Sequence, residues 1–195
     1  LEKRPRIVFS PSGKSLAIAF NQTVKITTLT GEILHQLEYP ESVENLGFLA
    51  DQSLVLIGKS ATVRVFDRQT RELRMAKDNW ATDNYNIINA SAVSPDGNFI
   101  AIAFANNTNG DTSSVQVLDI ANQSSHELLS ESSSARVRDL SFDASSDYLL
   151  IGKSDAARIQ MWDVRNRTQT FNEIEIDKRL IVSSSVHGSK EMIAI

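Results

Sequence analysis

Apolar stretches and polar, turn-forming stretches alternate along the chain in a pattern that repeats. In each copy an apolar residue precedes a polar turn, and a run of apolar residues follows the turn. Five copies begin at Phe9, Phe48, Val93, Phe142 and Val186. These positions lie 39, 45, 49 and 44 residues apart. A recurrence with this period indicates a repeat architecture in which each copy is one supersecondary unit.

Two more apolar segments follow in each repeat. The first alternates apolar and polar residues, as at Val63 and Val65, and this two-residue period predicts a half-buried strand. The second is a shorter apolar stretch that closes the repeat. In the leading turn of the first repeat, Pro11 presets φ and Gly13 accepts a positive φ, as a tight hairpin requires. Each repeat therefore predicts four strands, with no helical period between them.

A short dipeptide ends the alternating segment of the fourth repeat. It reads Trp162-Asp163, and other pairs hold the equivalent place in the other repeats: Phe66-Asp67, Leu118-Asp119 and Thr27-Thr28. With this dipeptide and its four-strand period, the chain resembles the WD40-repeat β-propellers in a degenerate form. The family's Gly-His dipeptide is absent from every repeat. The side-chain network that this histidine forms in regular members is therefore not expected here.

The resemblance implies an all-β fold, a β-propeller of four-stranded antiparallel blades that is incomplete in this chain. We expect one propeller segment over residues 1–195, with repeats at 6–39, 44–77, 88–130 and 136–177 and a partial repeat at 180–195. An open array of blades leaves apolar blade faces exposed. We therefore expect the remaining blades to come from the same parent chain or from self-association.

Composition narrows the classes of partner. The 20 Lys and Arg residues against 24 Asp and Glu residues give a net charge of −4, which argues against nucleic acid and anionic membrane. The chain has no cysteine, which excludes disulfides, thiolate catalysis and Cys-ligated zinc. No apolar run approaches the ~18 residues that a membrane span needs. The first residues lack Met and a signal-peptide pattern, so we expect the chain to begin inside a longer protein.

Motifs that carry chemistry elsewhere are interpreted here as structural. Gly-Lys-Ser begins at Gly58 and again at Gly152, but a phosphate-binding loop needs a glycine five residues earlier, where Ser53 and Asp147 stand. Both tripeptides are therefore interpreted as strand-end turns. Acidic residues of the hairpin turns are expected to bond their own backbone. The three histidines lie too far apart in sequence for a zinc motif, so we predict no catalysis, cofactor or metal.

The partner surface is predicted on one rim, in the loops that enter the first strands or join the second to the third. Loop 76–89 carries Trp80 and Tyr85, and aromatic residues of this kind anchor interfaces. The alternative for Trp80 is packing onto a neighbouring blade. The charged candidates on the same rim are Lys59, Lys153, Asp155, Arg136 and Arg138. They suit an acidic peptide as partner, and the alternative is that they are solvated turn charges.

The sequence thus predicts recognition: a non-catalytic protein–protein interaction platform, the recognition or sensor propeller of a longer cytoplasmic protein. Two other readings stay open. The Ser-Pro-Asp-Gly type of turn also suits a TolB-like or peptidase-associated propeller that supports an enzyme or transport complex, and an export signal upstream would indicate it. An RNA-binding propeller is disfavoured by the net charge of −4.

Overall fold

The computed structural model describes residues 5–67, 73–78, 80, 87–105, 112–132, 136–153, 158–170, 174–175, 185–186 and 193–194. The described residues form four four-stranded antiparallel sheets, in each of which neighbouring strands follow the order of the chain. This architecture confirms the all-β prediction and is consistent with propeller blades. Within the same ranges, no helix is long and apolar enough to cross a bilayer.

The chain divides into two compact bodies, residues 1–80 and residues 81–195. The first body is the first sheet pair, made of sheets 1 and 2. Sheet 1 contains β1 (Arg6–Phe9), β2 (Ser15–Phe20), β3 (Thr23–Thr28) and β4 (Ile33–Glu38). Sheet 2 contains β5 (Val43–Phe48), β6 (Leu54–Gly58), β7 (Val63–Phe66) and β8 (Leu73–Lys77).

The second body contains sheets 3 and 4, which are called the second sheet pair. Sheet 3 contains β9 (Ile87–Val93), β10 (Phe99–Ala105), β11 (Thr112–Asp119) and β12 (Ser124–Ser132). Sheet 4 contains β13 (Val137–Phe142), β14 (Tyr148–Lys153) and β15 (Arg158–Asp163). Its outermost position is filled by two short strands that both pair with β15, namely β16 (Thr168–Gln169) and β17 (Ile174–Glu175). The last strands, β18 (Ser185–Val186) and β19 (Ile193–Ala194), pair with each other.

The hairpin between the first two strands of a sheet is closed by a side chain directly after the anchor residue. In sheets 1, 3 and 4 this side chain accepts a hydrogen bond from the N–H five residues later: Ser10 from Ser15, Ser94 from Phe99, and Asp143 from Tyr148. The turn in sheet 1 also places Gly13 at a φ of 65°, as the sequence predicted. These turns are therefore local devices that fix the register of each hairpin.

The hairpin of sheet 2 is one residue shorter than that of sheet 4. Leu54 is paired with Phe48, six residues before it, whereas Leu149 is paired with Phe142, seven residues before it. A one-residue difference in a turn shifts everything that follows along the strand. The two Gly-Lys-Ser tripeptides therefore do not occupy equivalent places, although their sequences are identical.

Strand pairing shows where the two tripeptides lie. Gly58 is paired with Val43 at the end of sheet 2, and in sheet 4 the equivalent place opposite Val137 is held by Lys153. Lys59 consequently lies in the turn after its strand, whereas Lys153 is the last residue of β14. The sequence predicted turns at both places, and the structure differs for Lys153.

Each sheet pair is held together by an interface of small side chains against large ones. In the first pair the small face belongs to sheet 1 (Ala17, Ala19, Val24, Ile26) and the large face to sheet 2 (Leu46, Phe48, Leu54, Leu56). In the second pair the faces are Ala101, Ala103, Val115 and Val117 of sheet 3 and Leu140, Phe142, Leu149 and Ile151 of sheet 4. All sixteen side chains are buried, and their burial is the main source of stability for each pair.

Candidate interaction surface

The upper edge of a sheet is defined here as the end where the second and third strands join and where the chain enters the first strand. In sheet 4, Arg136 and Arg138 are exposed at this edge, on either side of the buried Val137. Arg138 is the extra residue of a bulge, because the register shifts between Val137 and Asp139. Neither guanidinium forms a hydrogen bond or ion pair with the described residues. Within the described residues, both cations are therefore unpaired at the start of β13.

The third predicted cation of this edge, Lys153, is only 2% exposed. Its Nζ lies 2.7 and 2.8 Å from the two carboxylate oxygens of Glu131 on β12. A buried charge is tolerated in an interior only when it is paired in this way. The Lys153 ammonium therefore joins sheets 3 and 4, and its charge is neutralised within the protein.

Lys59 lies at the upper edge of sheet 2, in the turn after β6, with an exposed side chain. The Lys59 N–H donates to the Ser42 carbonyl, 2.9 Å away. Because its backbone is tied to the loop that precedes sheet 2, the side chain of Lys59 projects from a fixed turn. This residue is where the sequence placed it, and its role as a partner contact stays a prediction.

Glu41 is a structural residue of the same edge that the sequence did not indicate. Its carboxylate accepts hydrogen bonds from the Ser60 N–H, at 2.7 Å, and from the Thr62 hydroxyl. The Tyr39 hydroxyl lies 2.7 Å from Thr62 Oγ1. Burial raises the pKa of Tyr39, although its bond with Thr62 opposes the shift. A Cβ on Gly58 would lie 2.1 Å from Glu41 Oε1, so this arrangement requires glycine.

The remaining predicted contacts are the aromatic pair and one acid. Trp80 is 4% exposed, which agrees with the alternative that its indole packs inward. Tyr85 and Asp155 lie outside the described residues. Of the predicted surface residues that the structure describes, the exposed ones are Arg136 and Arg138 in the second sheet pair and Lys59 in the first.

Carboxylates at the opposite, lower edge are engaged with their own turns, as predicted. Burial alone would raise the pKa of Asp143, but the Ser145 hydroxyl and the N–H groups of Tyr148, Ser145 and Asp147 outweigh it and lower the pKa. Asp163 of the Trp-Asp dipeptide accepts from the Asn166 N–H, 2.8 Å away, and this bond lowers its pKa.

The dipeptides of the third and fourth repeats, Leu118-Asp119 and Trp162-Asp163, have aspartates with the same role. Asp119 accepts from the N–H and side-chain amide of Asn122, at 3.0 and 2.8 Å, so it caps its turn as Asp163 does. Trp162 packs against the core of the second pair, and its Nε1 donates to Gln160 Oε1, 3.2 Å away. Among the described residues, no group of three or more His, Asp or Glu side chains is arranged to hold a metal ion.

Comparison with known proteins adds no family to this description. A scan against models of protein families found no match, and a search among curated proteins found none either. The class of protein is therefore defined by the fold alone. The described residues form an all-β protein of repeated four-stranded antiparallel sheets, with exposed cations at two upper edges.

Proposed function

We propose that the chain is a degenerate WD40-like propeller segment that serves as a non-catalytic platform for a protein partner. In this proposal it is the recognition or sensor part of a longer cytoplasmic protein. The repeated four-stranded sheets, the Trp162-Asp163 dipeptide and its capped turn support the resemblance. Rigid sheets that present side chains at one edge suit recognition, because the binding groups lose little freedom when a partner docks.

The exposed guanidinium groups of Arg136 and Arg138 carry the proposal. An arginine forms paired, charge-assisted hydrogen bonds with carboxylates and is enriched in interfaces. Val137 between them is fully buried and paired with Lys153, so the backbone that holds both groups is fixed. Lys153 cannot contribute its charge, because Glu131 already binds it. The partner we propose is therefore an acidic peptide segment that lies along the upper edge of sheet 4.

The test compares two charge reversals in the full chain. Arg136→Glu with Arg138→Glu removes the proposed contacts, and Arg167→Glu is the control because Arg167 is exposed at the lower edge of the same sheet. A fluorescent glutamate-rich peptide is titrated by anisotropy at low and at physiological salt. A charge-assisted bond contributes about 1.5–3 kcal/mol, so the double variant should bind at least ~10-fold more weakly.

The control separates a specific surface from overall charge. Arg167→Glu should change the affinity by less than ~2-fold once salt screens long-range effects. Equal losses in both variants would reduce the result to net charge and contradict the proposed surface. Absence of peptide binding by the unmodified chain would reject an acidic peptide as the partner.

A further inference from the structure

A cavity lies between sheets 1 and 2, near the hairpin turn of sheet 2. Its volume is about 90 Å³. Ile26 and Leu54, which are 7% and 2% exposed, form its floor, and Phe66 forms one wall. Apolar space of this size is uncommon in an interior packed at crystal-like density, and apolar cavities take up small apolar ligands. The cavity belongs to the first sheet pair, so the inference does not rest on the peptide surface of sheet 4.

Polar side chains surround the mouth of the cavity. Gln36 is exposed there, and His35, Gln52 and Asp67 are half-buried. Gln52 belongs to the hairpin turn of sheet 2, and its Oε1 lies 3.5 Å from the hydroxyl of Ser12 in the hairpin turn of sheet 1. An apolar floor with a few polar groups at the opening is typical of a site for a small molecule.

Strand pairing identifies the equivalent of Phe66 in the second sheet pair. Leu54 is paired with Phe66 in sheet 2, and Leu149 is paired with Trp162 in sheet 4. Trp162 packs against the core of the second pair, and its Nε1 donates to Gln160 Oε1, 3.2 Å away. The second pair therefore has an indole ring system at the position where the first pair has a smaller phenyl ring beside a cavity.

The walls that face these two rings also correspond. In sheet 1, Ile26 is paired with His35, and in sheet 3, Val117 is paired with His126. Both histidines are half-buried. The two places therefore share a histidine on the outer strand and a β-branched residue on the third strand. They differ in the aromatic ring that the second sheet of each pair contributes.

We propose that the cavity of the first sheet pair binds a small planar aromatic molecule with an N–H donor, of which indole is the simplest. The ligand supplies the ring surface that Trp162 supplies in the second pair. The amide oxygens of Gln36 and Gln52 at the mouth are acceptors for the N–H, as Gln160 is for Trp162. A closed cavity of about 150 Å³ takes up benzene. The smaller space here receives the six-membered ring and leaves the N–H in the mouth.

A titration with indole tests the proposal by NMR of the full chain, labelled at Ile, Leu and Val methyl groups. Binding should shift the signals of Ile26 and Leu54, called the first-pair methyl groups, because an aromatic ring changes the field at nearby nuclei. Val117 and Leu149, called the second-pair methyl groups, are the internal control, since Trp162 already packs there. We expect a dissociation constant of about 1 mM or below for a ligand of this size.

Two reciprocal variants separate the cavity from the surrounding surface. Phe66→Trp fills the space with a tethered indole, so binding at the first-pair methyl groups should weaken at least ~10-fold. Trp162→Phe should open the equivalent place, so the second-pair methyl groups should also shift. Leu37→Phe is a second test of the cavity in case Phe66→Trp does not fold, because Leu37 lines the cavity from β4. It should weaken binding in the same way.

Four results overturn the proposal. The absence of shifts at the first-pair methyl groups, at indole concentrations ~10-fold above 1 mM, means that the cavity takes up no such ligand. Equal shifts of both sets of methyl groups in the unmodified chain mean that indole adsorbs to apolar surface in general. Unchanged binding in Phe66→Trp or, where that variant does not fold, in Leu37→Phe places the ligand outside the cavity. Trp162→Phe without shifts of the second-pair methyl groups contradicts the equivalence of the two places.

Discussion

The two sheet pairs have the same interface of small and large faces, but they differ at the upper edge. In each pair a glutamate that precedes the second of the two sheets, Glu41 in the loop between the sheets or Glu131 on β12, lies at the end of that sheet's second strand. Glu41 bonds the Ser60 N–H and Thr62 beside Gly58, whereas Glu131 binds the buried Lys153. Gly58 and Lys153 each belong to a Gly-Lys-Ser tripeptide. The comparison teaches that the register along the strand, more than the tripeptide sequence, determines whether the lysine is exposed in a turn or buried on a strand.

The first prediction breaks the ion pair of the second sheet pair and carries the largest expected effect. Glu131→Ala should lower the free energy of unfolding by about 3 kcal/mol, because it removes the carboxylate that pairs with the buried Lys153 ammonium. Adding Lys153→Met should recover most of this loss. The free energy is measured by urea unfolding.

Lys59→Ala is the matched control for that experiment. Its side chain belongs to the same tripeptide but is exposed, so the expected change is within about 0.5 kcal/mol. Similar losses for Lys59→Ala and Glu131→Ala would mean that the two tripeptides are equivalent after all.

The second prediction compares the hairpin caps of sheet 4 and sheet 1. Asp143 accepts bonds from the N–H groups of Asp147 and Tyr148 and from Ser145, whereas Ser10 accepts from one N–H, that of Ser15, and shares a hydrogen bond with the Ser12 hydroxyl. Asp143→Asn should therefore cost about 1–2 kcal/mol at pH 7, and Ser10→Ala about 1 kcal/mol or less. Urea unfolding at several pH values measures both.

The pH dependence separates the two caps. The pKa of Asp143 is lower in the folded protein than its unfolded value of about 3.9. Its stabilisation is therefore complete above the unfolded pKa and is lost as the pH falls through the folded pKa. Asp143→Asn should flatten the stability curve below about pH 5, and Ser10→Ala should leave its shape unchanged. An unchanged curve in Asp143→Asn would show that the carboxylate charge has no such role.

The third prediction concerns the corresponding glutamate of the first sheet pair. Gly58→Ala should push Glu41 away from Ser60 and Thr62, because the new Cβ would meet Glu41 Oε1. Gly58→Ala and Glu41→Ala should each cost about 1 kcal/mol, and the double variant little more than either. Additive losses in this double-mutant cycle would argue that Gly58 is needed for another reason.

The hairpins and turn caps were predictable from sequence, whereas the contacts between sheets were not. Gly13 and the capping role of Asp163 follow from residues a few positions away, so local turn chemistry indicates them. The sequence placed Lys153 in a turn, like Lys59. That prediction was wrong because the hairpin between the first two strands of sheet 4 is one residue longer than that of sheet 2, which puts Lys153 on the strand. Glu41 gave no signal, because its significance comes only from Gly58, which lies in the next sheet.

The same limit applies to the candidate surface. Arg136 and Arg138 are exposed, as expected for partner contacts. Trp80 and Lys153, in contrast, are buried, and burial depends on what packs above a residue in space. Composition and motif identify residues that are able to bind a partner, but only the packing of neighbouring elements tells which of them face solvent.

The last prediction concerns the groove between sheets in each pair and has the smallest expected effect. In the first pair a cavity of about 90 Å³ is lined by residues that include Ile26, Leu54 and Phe66. Strand pairing puts Trp162 of sheet 4 at the place of Phe66, and its larger ring system packs against the core there. Phe66→Trp should fill the cavity and raise the free energy of unfolding by about 0.5–1 kcal/mol. Trp162→Phe should lower the free energy of unfolding by about 1 kcal/mol, as large-to-small changes at partly buried sites do.

Urea unfolding of the two reciprocal variants measures both changes. A loss of stability in Phe66→Trp would mean that the cavity of the first pair cannot accept a larger ring, and that the two pairs differ in packing at this position because each accommodates only its own side chain.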